Sequence, residues 1–330
     1  MLDMEFVALF AAHDRNYRDR AIMPSLISNG ISIAYETAGD PKAVPVLLVM
    51  GLGMQLTAWP ADFVDGLAEL GYYVIRFDNR DSGLSTKFKP AGTPSLPLAL
   101  LKSRLHLPVR SAYRLDDMAA DALGVLNTLG VAKAHVVGLS MGGMIAQILT
   151  ARHPGRILSL ASLMSSSGRR GLPGPTRTAR SALMACPPPG ADPERMLGHL
   201  ARLLRVIGSP AYPTPEKQLR DAATAALLRC SCPAGVTRQL VAVIASGDRC
   251  ALLRSIERPT LVIHGAADPL IPVAGGIDTA RLVPGARLEV IEGMGHDLPG
   301  QLIERLLALI DVHARGKMAP DILPRLFEKQ

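Results

Sequence analysis

The sequence predicts an α/β fold: a mostly parallel sheet with helices on both faces and an inserted helical lid. Three observations predict it. Strand-like and helix-like segments alternate along the chain. Several strand candidates are continuous apolar runs, the mark of strands buried on both faces. One stretch, 165–253, is too long for a loop between two sheet strands, yet it carries helical spacing.

Taken in order, residues 1–24 read as an appended segment. Asn29-Gly30 is a hairpin turn signal, and Ile31 to Thr37 alternates with period two, so an antiparallel pair opens the sheet. Val46 to Met50 is a buried strand. Pro60 to Leu70 has helical spacing, with Phe63, Val64, Leu67 and Leu70 on one side and Gly71 at its end. Tyr72 to Phe77 is the next buried strand. Lys87 to Tyr113, rich in Pro, Leu and Arg, interrupts the rhythm. Asp116 to Leu129 reads as a helix, with Asp116 or Asp117 as its cap and Gly130 as its stop. His135 to Leu139 is a strand, Gly142 to His153 a helix stopped by Pro154-Gly155, and Ile157 to Met164 a strand. Within the inserted stretch, Ala191 to Ile207 and Pro215 to Leu228 carry helical spacing. Thr260 to His264 and Arg287 to Ile291 are two further strands, and Leu298 to Ala314 is a closing helix that Asp297 can cap. The expected organisation is a 1–24 extension, a core of 25–164 and 254–315, a lid of 165–253 and a 316–330 tail.

Composition excludes several classes. At 330 residues with 48% apolar and 20% charged types, the chain is not a disordered one. The net charge is +7, but no run of five basic residues exists and aromatics are only 4%, so a nucleic-acid partner is not expected. The longest apolar stretch, Ala43 to Met54, is broken by Pro45, Gly51 and Gly53, and a spanning helix needs roughly 20 apolar residues, so no membrane span is expected. Asp3, Glu5, Asp14 and Asp19 mark an N-terminus without a basic leader, which reads as cytoplasmic. Four cysteines make no disulfide framework. Cys230 and Cys232 lack a second pair at zinc spacing, and Cys186 sits in a proline loop without a partner. The apolar patch Phe6, Val7, Leu9 and Phe10 fits docking on the domain or on a second copy of the chain, so a homo-oligomer stays open.

The strongest chemical signal is Gly138-Leu139-Ser140-Met141-Gly142, a G-x-S-x-G between a strand and a helix. In that setting small residues permit a tight turn that lifts the serine above the sheet edge in a strained conformation. A serine hydroxyl needs a base within reach, and the base needs an orienting carboxylate. His296, in the loop after Arg287 to Ile291, is the candidate base. Asp268, in the loop after Thr260 to His264, is the candidate acid. All three follow strands at one sheet edge, in the order Ser…Asp…His. His135 and His264 read as core residues. An oxyanion needs donors already in place. The backbone N–H of Met141 is one candidate, and that of Leu52, in Met50-Gly51-Leu52-Gly53, is the other.

These pieces resemble the α/β-hydrolase superfamily: V-P-V-L-L-V-M-G-L-G (44–53), V-I-R-F-D-N-R-D-S-G-L-S (74–85), H-V-V-G-L-S-M-G-G (135–143), P-T-L-V-I-H-G-A-A-D-P-L-I-P (259–272) and I-E-G-M-G-H-D-L-P (291–299). Within it, the set is similar to bacterial carboxylic ester hydrolases related to aclacinomycin methylesterase. The resemblance implies Ser140, Asp268 and His296 as a catalytic triad and an ester as the small-molecule substrate. Two departures stand out. Met50-Gly51 replaces the His-Gly of many relatives, a feature the methylesterase-like group shares, and Asp81 replaces the first Gly of D-x-R-G-x-G-x-S. Asp78 to Ser85 reads as a structural turn near the pocket. The expected function is a serine carboxylesterase acting on small to medium apolar esters, with no cofactor and no metal. The same triad serves lactone, amide, thioester and carbon–carbon hydrolysis and perhydrolysis, and a non-catalytic receptor can use the same fold. Of the lid leucines and methionine, Leu172, Leu183, Met184, Leu203 and Leu227 either line the pocket or pack the lid.

Overall fold

The computed structural model describes residues 23–185 and 192–316. Most of the 1–24 extension with its Phe6 to Phe10 patch, Cys186, and all but the first residue of the 316–330 tail lie outside them.

An eight-stranded sheet forms the centre, in the order β1-β2-β4-β3-β5-β6-β7-β8. Its strands are β1 (Ser25–Ser28), β2 (Ile31–Ala38), β3 (Val44–Val49), β4 (Tyr72–Phe77), β5 (Ala134–Leu139), β6 (Ile157–Leu163), β7 (Thr260–Gly265) and β8 (Arg287–Ile291). β2 runs antiparallel to β1 and β4, and every other pairing is parallel. The β1–β2 turn follows from its residues: Asn29 and Gly30 both take positive φ, 49° and 77°, as a two-residue hairpin turn of this hand requires.

Strand alternation divides the core between the two faces. Leu47, Val49, Ile75, Phe77 and Val136 pack with α3 (Leu115–Thr128) and α4 (Met141–Arg152). Val46, Leu48, Val74, Val137, Leu261 and Ile263 pack on the other face with α1 (Ala61–Glu69) and α11 (Ile303–Ala314). Neighbouring residues of one strand thus serve different layers. Each fully buried Leu or Ile contributes about 1.5–3 kcal/mol of transfer free energy.

Three local expectations change. The start of α3 is capped from inside its first turn: the Asp117 carboxylate accepts the backbone N–H of Arg114 at 2.7 Å, and Arg114 itself occupies the cap position. The closing helix begins at Ile303 after a short 3-10 turn, and Asp297 does not cap it. The segment 87–113 contains a helix, α2 (Leu96–Arg104), introduced by Ser95, whose hydroxyl accepts from Leu98 N.

Between β6 and β7 the chain forms α5 (Arg177–Met184), α6 (Pro193–Ile207), α7 (Glu216–Arg229), α8 (Pro233–Ser246) and α9 (Cys250–Arg254). Leu227 joins a small core of this insertion with Leu197, Ala201 and Ala223. Met184 is half exposed. α10 (Ala274–Leu282) fills the β7–β8 crossover. No helix among the described residues is long and apolar enough to cross a membrane.

Candidate active site

Ser140 is the single residue between β5 and α4, with φ 57° and ψ −118°. A residue with a side chain enters this region only under constraint. Two glycines supply the room. A Cβ at Gly138 would collide with the Gly142 carbonyl, and one at Gly142 would collide with the carbonyl of Val49. Two hydrogen bonds hold the turn: Ser140 N donates to Leu163 O at 2.8 Å, and Ser165 Oγ donates to Ser140 O at 2.8 Å.

Asp268 and His296 arrive from the ends of β7 and β8. His296 Nε2 lies 2.9 Å from Ser140 Oγ, and His296 Nδ1 lies 2.6 Å from Asp268 Oδ2. A carboxylate only accepts, so Nδ1 carries the hydrogen, which leaves Nε2 as the ring nitrogen that faces the serine hydroxyl. All three residues are buried, none more than 8% exposed.

Asp268 is held as an anion. Its Oδ1 accepts the N–H groups of Leu270 and Ile271, both at 2.8 Å. Burial alone would raise its pKa, but the nearby His264 ring, the hydrogen bond from His296 and the backbone N–H groups outweigh burial and lower it to about 2. His264 was expected only as a core residue. Its Nε2 donates to Ile271 O at 2.7 Å and stands 3.4 Å from Asp268 Oδ2, so it braces the acid loop from below. The signal was its spacing, four residues before Asp268 at the end of the same strand.

The turn after β3 lies against the serine. A Cβ at Gly51 would sit 3.2 Å from Ser140 Cβ and 3.3 Å from Leu139 O. Several polar groups of this turn are engaged. Met50 O accepts from Asn79 Nδ2 at 2.8 Å, Gly51 O from Met54 N at 3.3 Å, and Met54 O from Ser82 Oγ at 2.7 Å. Gly53 N donates to Gln239 Oε1 at 2.7 Å. Among the described residues the Leu52 N–H has no acceptor, and neither has the Met141 N–H, which opens α4. The Met141 N–H is next to Ser140 in the chain, and the Leu52 N–H follows Gly51, which packs against Ser140.

The loop 78–85 supports this turn. Asp78, fully buried, accepts from Leu56 N at 2.7 Å and Leu84 N at 2.8 Å and pairs with Arg229 at 2.7 Å. Asp81, at the position where relatives have glycine, keeps a positive φ of 67°. Its carboxylate receives Arg238 Nε and a terminal Arg238 nitrogen, both at 2.7 Å, and the Tyr113 hydroxyl at 2.6 Å. Burial pushes the Asp81 carboxyl up, but Arg238, Tyr113 and the Phe88 N–H outweigh it and hold it below the ordinary range. Arg80 makes a second bidentate pair with Asp121, both contacts at 2.6 Å.

The insertion is fastened to each loop of the site. Thr176 N donates to Pro269 O at 2.8 Å, beside Asp268. His296 N donates to Ile207 O at 2.7 Å, and Gly295 N to Ser209 Oγ at 2.8 Å. Asp297 accepts the Ser209 hydroxyl, which ties it to the insertion. Burial pushes the Asp297 carboxyl up, opposed by its bonds to Ser209.

The family model described as alpha/beta hydrolase fold matches residues 44–300. Rhodomycin D methylesterase DauP of Streptomyces sp. (strain C5) is 30% identical over 319 residues, covering 87% of this chain and 96% of that protein. Rhodomycin D methylesterase DnrP of Streptomyces peucetius is 30% identical over 313 residues, covering 89% and 99%. Among solved structures, a meta-cleavage product hydrolase from Pseudomonas fluorescens IP01 superposes with a TM-score of 0.69 at 19% identity, covering 89% of this chain and 98% of that one.

Proposed function

The chain belongs to the alpha/beta hydrolase fold family, and from that premise we propose that it is a serine carboxylic ester hydrolase that works through an acyl-enzyme. The observation that carries the reading is the continuous contact Asp268–His296–Ser140, with an imidazole facing a serine hydroxyl at a strained turn. In this reading Ser140 Oγ attacks the ester carbonyl carbon while His296 Nε2 takes its proton. The carbonyl oxygen becomes an oxyanion held by the N–H groups of Leu52 and Met141. Asp268 keeps the imidazole in the working tautomer and stabilises its cation. The intermediate collapses, the alcohol leaves with the proton from His296, and water activated by the same ring releases the acid. The site requires no metal and no organic cofactor for these steps.

The substrate class is a small to medium apolar ester. The similarity to two methylesterases over nearly their whole length supports methyl esters within that class. The insertion 165–253 acts as the lid: it contacts the loops of all three triad residues or the turn beside them, so it is placed to shape the acyl and alcohol sites. Labelling with a fluorophosphonate tests the nucleophile. Attack by Ser140 displaces fluoride and leaves a phosphonyl group on the peptide containing residue 140. That adduct is expected on the wild type and absent from Ser140→Ala. An adduct on another serine, or none, contradicts the assignment.

A further inference from the structure

The amide of Gln239, a side chain of the insertion, hydrogen-bonds the turn beside Ser140, and it is fully buried. Its Oε1 accepts Gly53 N at 2.7 Å, and its Nε2 donates to Arg80 O at 2.7 Å. It therefore bridges the β3 turn and the 78–85 loop, which is itself bonded to both ends of that turn through Asn79 and Ser82. One turn of α8 earlier, Val236 lies over Gly53: a Cβ there would meet Val236 Cγ2 at 2.8 Å. Gly53 holds a φ of 68°, so the backbone at this point is in a conformation that glycine adopts and that needs an outside brace to stay unique. The brace is anchored in turn. Arg238, the residue before Gln239 in α8, is clamped on Asp81 and donates to Gly92 O at 2.6 Å.

Building on the reading above, we propose that Gln239 is a positioning residue for the oxyanion donor. With Gly53 N bound to Gln239, and with Met50 O, Gly51 O and Met54 O bonded to Asn79, Met54 and Ser82, the backbone on both sides of the Leu52 N–H is fixed. The insertion thereby fixes transition-state binding in addition to covering the site. Gln239 touches no reacting atom, and its effect passes entirely through the Gly51–Gly53 backbone. Misplacing a catalytic group by about 1 Å costs on the order of 100-fold, and deleting an oxyanion donor outright costs about 10²–10³.

The test compares Gln239→Met, which matches the side chain in size without its amide, with Gln239→Glu, which keeps an acceptor for Gly53 N. Substrate is a 4-nitrophenyl ester, and rates are normalised to active sites counted by fluorophosphonate titration. The expected result is kcat lowered about 10- to 100-fold in Gln239→Met with KM within about threefold, and a smaller loss in Gln239→Glu. Affinity for an alkylboronic acid, which forms a tetrahedral adduct on the serine, falls by the same factor as kcat. A merely structural role lowers thermal stability and the count of active sites but leaves kcat per site and boronate affinity unchanged, and that result overturns the proposal. If the Met variant does not fold, Gln239→Ala, which also lacks the acceptor, takes its place, and wild-type kcat per site and boronate affinity there overturn the proposal equally. Wild-type protein that turns over no ester counts against the ester hydrolase reading, whereas wild-type turnover with unaffected variants counts against Gln239 alone.

Discussion

Asp268 illustrates how one carboxylate is held ionised in a buried place. Burial opposes its charge, yet two backbone N–H groups, His296 and His264 converge on it, and its pKa drops to about 2. The sign of the pH effect follows. A depressed carboxylate contributes stability that is fully present above its ordinary value, roughly 3.9, and is lost as pH falls through about 2. Asp268→Asn should lack this acid-side contribution in denaturation measured between those values. Its effect on turnover is larger: an amide facing Nδ1 no longer enforces the tautomer, and kcat should fall on the order of 10⁴-fold with the protein still folded. A variant retaining most of its kcat would remove Asp268 from the mechanism.

At the scale of elements, the departure at Asp81 becomes intelligible. A glycine there satisfies a positive φ, and this chain instead uses an aspartate whose carboxylate anchors α8 through Arg238. Arg238→Met leaves a buried anion without its cation and should cost about 3–5 kcal/mol in chemical denaturation. Adding Asp81→Gly removes the stranded charge and suits the backbone, so the double variant should recover most of that loss. Strictly additive losses would show that the pair is not coupled.

Sequence patterning exposed the elements whose period is strong. β3 to β8 and α1, α3, α4 and α11 lie within a few residues of where the sequence pattern puts them, because the strands carry apolar runs and the helices carry the apolar residues that pack on the sheet. α6 and α7 were also visible. α2, α5, α8 and α10 were not, for separate reasons. α2 spreads leucines around its axis, and Leu98, Leu101 and Leu105 stay about half exposed, so no single face announces it. α8 buries Arg238 and Gln239 where a helix ordinarily buries aliphatic residues. Their partners, Asp81 and Gly53, are more than 150 residues away. At the site, local motifs place Ser140, Asp268 and His296 at one sheet edge, where their side chains meet; Leu52 and Met141 as oxyanion donors remain part of the proposal. The supporting side chains Ser209, Arg238 and Gln239 carry no local motif, since their meaning comes from tertiary contact alone.

Over the whole molecule, the sheet and the insertion divide the work. The parallel strands deliver Ser140, Asp268 and His296 to one edge, with the triad almost wholly covered. The insertion is bonded to the acid loop, the base loop and the β3 turn, so it belongs to the architecture of the site. In the proposed reading, residues of 165–253 set substrate choice and the core supplies the chemistry. The most direct measurement is hydrolysis of 4-nitrophenyl esters from acetate to laurate by wild type and Ser140→Ala. The account predicts turnover by wild type with an optimum at short to medium chains, and a loss of about 10⁴-fold or more in the variant. Equal turnover by the two proteins, or none by wild type on any ester of the series, would contradict it.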